Sequence, residues 1–202
     1  MKASQPTRAA VIACGALAFD VRRIARRRGW ELDIVPIPAL LHNTPERIPA
    51  AVAAELSALR ERYSVVAVAY GDCGTYGALD EVVSGFGVQR LDGDHCYDVF
   101  AGPLVAEAFA DEPGTFLLTD FLARTFQHTV VHGLGLDRFP WLRDTYFGHY
   151  KRVLWLAQHP TPATRACAQR AADVLGLPLE VRRVGNAGLE RGLERLLAGV
   201  ST

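Results

Sequence analysis

Short apolar runs alternate with longer stretches of helical spacing along most of the chain. The runs at 8–14 (RAAVIAC), 31–40 (ELDIVPIPAL), 64–70 (SVVAVAY), 87–93 (GVQRLDG), 114–120 (GTFLLTD), 151–158 (KRVLWLAQ) and 178–185 (PLEVRRVG) have strand length. SVVAVAY is apolar almost throughout, the pattern of a central parallel strand covered on both faces, whereas Pro36 and Pro38 mark 31–40 as an edge or an irregular end. Between them, apolar residues recur at helical spacing. The first such stretch closes at Gly29. The second, 43–63, has Thr44 at the N-cap and Pro45 at the first helical position, but Arg47 where a capping box wants a carboxylate or amide. Further helices are expected over 97–111, 121–137, 140–150, 161–176 (closing at Gly176) and 187–199. Seven strands alternating with helices predict an α/β fold: an open, mainly parallel sheet with helices on both faces.

No linker composition interrupts this pattern. Residues 8–202 read as a single α/β domain, with a two-lobed variant dividing near 110–120, and residues 1–7 read as a flexible tail. Half of the 202 residues are hydrophobic, enough for a sizeable core. Lys plus Arg equals Asp plus Glu at 22 each, so charge points neither to nucleic acid nor to an anionic membrane. The basic VRRIARRRGW (21–30) reads as a solvated helix face. No apolar run reaches the roughly 18–20 residues of a membrane span, and the N-terminus lacks a signal-peptide core. A cytoplasmic protein is expected, with a homodimer compatible with its hydrophobic content.

In a reducing compartment the four cysteines, Cys14, Cys73, Cys96 and Cys167, are packing residues, metal ligands or reactive thiols. None forms a CxxC pair. Three of them follow predicted strands, where open α/β sheets collect ligands: Cys14 after the first, Cys73 after the third and Cys96 after the fourth, with His42 after the second. Three thiolates and an imidazole are a zinc set; three thiolates with an open vertex also suit a [4Fe–4S] cluster. Gly15, Gly71 and Gly74 let the backbone turn sharply and approach a bound group, and His95 adjoins Cys96 as a supporting residue. Asp72, Asp94 and Asp120 are candidate acid/base groups, although each also suits a turn or an N-cap, and Arg124 could hold an anionic substrate. Cys167 lies inside an alanine-rich helix and reads as packing. Neither a dinucleotide fingerprint nor a P-loop is present.

ACGAL, LHNTPERIP, YGDCG, the Cys96 loop and PGTFLLTDF together resemble the DUF1638 family of uncharacterised proteins, over roughly residues 8–155. The resemblance carries Cys14, His42, Cys73 and Cys96 over onto family motif positions. His95 stands where the family has Asp before the cysteine, and TDF replaces a proline–glycine–tryptophan segment, departures that mark a subfamily. Because members stand beside corrinoid-dependent methyltransferases, the resemblance implies one-carbon metabolism and such a methyltransferase as partner. Three readings follow: a metal-binding enzyme or accessory protein acting on a small-molecule substrate or cofactor; a metal-free two-thiol racemase or isomerase; and a non-catalytic cofactor-binding module serving a methyltransferase.

Overall fold

The structure, a computed structural model, describes residues 9–198; the tail expected over 1–7 lies outside them. In chain order the elements are β1 (Ala9–Cys14), α1 (Ala18–Arg28), β2 (Leu32–Ile37), α2 (Ile48–Leu59), β3 (Val65–Ala69), α3 (Ala78–Gly85), α4 (Cys96–Asp111), β4 (Thr115–Thr119), α5 (Asp120–Phe126), α6 (Leu142–Phe147), β5 (Arg152–Ala157), α7 (Pro162–Leu175), β6 (Leu179–Arg183) and α8 (Ala187–Leu196). Two 3₁₀ turns, Ala39–Asn43 and Pro45–Arg47, precede α2, and a π-helical turn, Gln127–His132, follows α5. Among the described residues no helix is long and apolar enough to cross a membrane.

The chain is α/β with parallel pairing, but the single seven-stranded sheet is corrected to two three-stranded sheets, ordered β2-β1-β3 and β4-β5-β6. The missing strand is 87–93. It contributes one bridge, Val68 to Arg90, with Val68 N–H donating to Gln89 and Leu91 N–H to Val68. Gly87 and Gly93 bracket it with φ of +67° and +110°, which no extended ladder accommodates. β1, not β3, is central: all six of its residues are buried, and Cys14 pairs in register with Ile37 of β2. Pro36 sits on β2, an edge strand, where its missing N–H costs no ladder bond.

The described residues divide into two compact units: 9–99 with 186–198, and 100–185. In the first, α1 buries Val21, Ile24 and Ala25 and α2 buries Ile48, Val52, Leu56 and Leu59, each set on one helix face. Gly29 closes α1 with φ of +67°. In the second, β5 (RVLWLA) is central and α7 lays Ala168, Ala171, Ala172 and Leu175 on a core that includes Leu118, Phe126 and Trp155, with Cys167 packed beside it. Thr161 caps α7 in a reciprocal pair with Thr164. The helix expected over 97–111 begins at Cys96 and breaks at Ala101 (φ −157°, ψ +48°), because Pro103 has no N–H to donate and its ring clashes with the carbonyl four residues back. The chain passes from one unit to the other at this break.

A candidate thiol site at the strand ends

Three loops of the first unit build the site. Cys14 is the last residue of β1 and is buried; Ala16 N–H points at its Sγ (3.4 Å). Gly15 follows and donates its N–H to Ile37 (2.8 Å). A Cβ there would stand 3.0 Å from both Ile37 O and Ala39 N, so a side chain would force the turn after β1 back from the end of β2.

The loop after β3 is the most contorted segment of the unit. Cys73 and Tyr76 have φ of +54° and +53°, each followed directly by a glycine of positive φ, Gly74 at +84° and Gly77 at +88°. A non-glycine residue in that region costs about 1–2 kcal/mol, and Asp72 supplies the compensation. Its carboxylate accepts from Thr75 Oγ1 (2.6 Å), Tyr76 N–H (3.0 Å) and Gly77 N–H (3.0 Å). Burial alone would raise this carboxyl; the hydrogen bonds, with Arg90 nearby, outweigh that and hold it at about 2. Asp72 is therefore engaged as the anchor of its loop.

That loop is fastened to the next. Asp72 N–H donates to Gly93 (3.0 Å) and Cys73 N–H to Asp94 (2.7 Å). At Gly71 a Cβ would be tight, 3.1 Å from Gly93 O and 3.2 Å from the His95 carbonyl carbon, so a side chain there would press the two loops apart. Arg90 grips both sides, bidentate on Asp80 and donating to the Leu91 and Gly93 carbonyls. Asp98 accepts from His95 N–H (2.9 Å) and secures the turn into α4, whose first residue is the half-buried Cys96.

This backbone pairing brings Cys14, Cys73 and Cys96 within mutual influence. Burial pushes the Cys14 thiol up, against the opposing Ala16 N–H. Burial, then the Cys14 thiol, pushes Cys73 up to about 12 although the Cys96 and Gly71 N–H groups favour its anion. Burial, then Cys14 and Cys73, pushes Cys96 well up. Cys14 opposes ionisation of both other thiols and Cys73 that of Cys96, while backbone N–H groups stand ready for charged sulfur. Among the described residues no three His, Cys, Asp or Glu side chains close into a metal-coordinating group as they are placed.

His42 lies in the 3₁₀ turn after β2. Its Nδ1 meets the Ala39 carbonyl at 2.8 Å and its ring stacks on Tyr70, centroids 5.6 Å apart and planes 15° apart. Burial holds its pKa down, so the ring is neutral, Nδ1 is the donor, and Nε2 is a lone pair buried without a partner. Tyr70, which follows β3 directly, is fully buried. Its Oη lacks a hydrogen bond of proper geometry, although burial and then the Cys14 thiol raise it strongly and Cys14 is the side chain it addresses. Sequence reasoning missed Tyr70; the available signal was a lone polar tip ending an apolar strand next to a glycine.

The other predicted residues are placed differently. His95 is exposed and stacks on Tyr97 (6.3 Å), and Asp94 is exposed, contributing its carbonyl. Gly74 lies over Pro45, where a Cβ would be in ordinary contact, and is needed for its positive φ. Asp120 belongs to the second unit. Buried there, it accepts from Trp155 Nε1 (2.8 Å), Gln158 N–H (3.3 Å) and His159 N–H (2.7 Å), while Thr119 rather than Asp120 caps α5. Arg124 is exposed on α5.

Parallel α/β architecture with thiols gathered at the ends of β1 and β3 and at the start of α4 defines the class of protein. Residues 37–193 match the family model described as a protein of unknown function (DUF1638), and the chain belongs to that family. No curated protein matches it.

Proposed function

We propose that the first unit is a soft-metal site in which Cys14, Cys73 and Cys96 are thiolate ligands and His42 Nε2 is the fourth, with zinc the metal. The observation that carries this reading is the convergence of three thiols, two buried and one half-buried, whose surroundings raise all of them. A free catalytic thiol needs the opposite, a lowered pKa, which disfavours the two-thiol racemase or isomerase. A bound cation reverses the balance, because a coordinating thiol is deprotonated outright, and the N–H groups at the sulfurs then face negative charge. His42 favours zinc over a [4Fe–4S] cluster. It has the arrangement of a metal-bound imidazole, one nitrogen donating to a carbonyl and the other free.

Zinc with an exchangeable vertex supplies Lewis-acid polarisation or activation of a bound thiol or methyl group. With all four positions filled by protein, the unit is an accessory or carrier module. The partner implied by the family resemblance is a corrinoid-dependent methyltransferase.

Metal analysis and a visible spectrum of protein purified without oxygen test the reading. Wild type should carry about one zinc per chain, and Cys73→Ser should lose it. Iron and sulfide with broad visible absorbance would replace zinc by a cluster. Metal-free, colourless wild type that also takes up no added zinc would overturn the proposal.

A further inference from the structure

We propose that Tyr70 is a positioning residue of this site: its phenol O–H is the hydrogen-bond donor reserved for the Cys14 sulfur once that sulfur is a metal-bound thiolate. The inference rests on the metal reading and assigns a role to a residue outside the ligand set.

Tyr70 is fully buried among the site loops, one residue before the glycine that seats the loop after β3 against residues 93–95. One face of its ring is covered by His42. Its Oη is buried and unpartnered, although buried phenols ordinarily find an acceptor. β1 and β3 pair in register at Ala13 and Ala69, which sets Cys14 and Tyr70 side by side at the strand ends, and the Cys14 sulfur explains the deficit. A neutral thiol is a weak acceptor, so nothing draws the O–H into proper geometry. A thiolate is a strong one, and hydrogen bonds to charged groups are shorter and about twice as strong as neutral ones. The orphaned donor is thus satisfied only in the charged form of the site. A phenol carries its proton at neutral pH and serves there as donor. Ala16 N–H already approaches the same sulfur, so a metal-bound Cys14 would hold two donors. Drawing electron density from Cys14 makes it less nucleophilic than it would be without the phenol, an effect confined to this one of the three sulfurs.

Cobalt(II) added to anaerobic apo-protein is the probe, read by the thiolate-to-metal charge-transfer band and by iodoacetamide alkylation mapped to each cysteine. Wild type and Tyr70→Phe should each bind about one Co(II). In Tyr70→Phe the band should move to lower energy, and Cys14 alkylation should accelerate about tenfold, the order expected for losing a hydrogen bond to a charged group, with Cys73 and Cys96 unchanged. Co(II) bound by both proteins with the same band and the same Cys14 rate overturns the inference and leaves the metal reading standing. A folded Tyr70→Phe that binds no Co(II) also overturns it, since the phenol would then build the site rather than tune it. Wild type that binds no Co(II) overturns the metal reading and the inference with it. Should Tyr70→Phe not fold, wild type carrying fluorotyrosine, a stronger donor, must shift the band to higher energy; an unmoved band overturns the inference.

Discussion

A single side chain, Asp72, illustrates how chemistry assigned by residue type is reassigned by hydrogen bonding. By composition it is a general base or a turn residue; in the loop it takes three hydrogen bonds and holds the positive-φ conformation that aims Cys73. Its carboxyl is depressed, so its contribution to stability is fully present above the unfolded value near 4 and is lost as pH falls toward about 2. Asp72→Asn should cost about 1 kcal/mol at pH 7, a modest figure because the group is partly exposed. The gap from wild type should close below about pH 4, as urea unfolding at several pH values would reveal. The thiols carry the opposite sign. With Cys73 pushed up to about 12 and its neighbours raised with it, the metal-free site is protonated at neutral pH. Zinc binding should release about three protons and tighten as pH rises, measurable by titration calorimetry in buffers of different ionisation enthalpy.

Elements matter here chiefly through how closely their ends approach. The loops after β1 and β3 each carry a glycine whose missing Cβ is the space occupied by a neighbouring backbone, Ile37–Ala39 for Gly15 and Gly93–His95 for Gly71. Gly71→Ala should push the loop bearing Cys96 away from the one bearing Cys73. The expected cost is about 1–3 kcal/mol, with reduced zinc content, whereas Gly85→Ala, whose added Cβ meets nothing within 4 Å, should leave zinc content unchanged. Metal analysis alongside thermal unfolding separates the two. Both glycines were visible in the sequence as companions of cysteines. What each one approaches was not, because the contact is made by backbone atoms far along the chain.

Taken as a whole, the molecule has two parallel sheets in two compact units, each with its own central strand. Asp120 belongs to the stability of the second unit: Asp120→Ala would strand the Trp155 indole N–H and two backbone N–H groups, costing about 3 kcal/mol or more. Thermal unfolding should register that loss while zinc content stays at the wild-type level. The sequence by itself determined the α/β alternation, six of the strands, the glycine ends of α1 and α7, and the placement of Cys14 at the end of a strand with Cys73 and His42 beyond theirs. These follow from local rules: burial imposes periodicity, and backbone conformation selects the capping residue. Tertiary structure alone decided that 87–93 meets β3 by one bridge, that the strands divide into two sheets, and that Tyr70 stacks on His42. Periodicity records which side chains leave water; it is silent on which partners they meet, because strand pairing and side-chain stacking join residues distant in sequence through geometry that only the folded chain supplies.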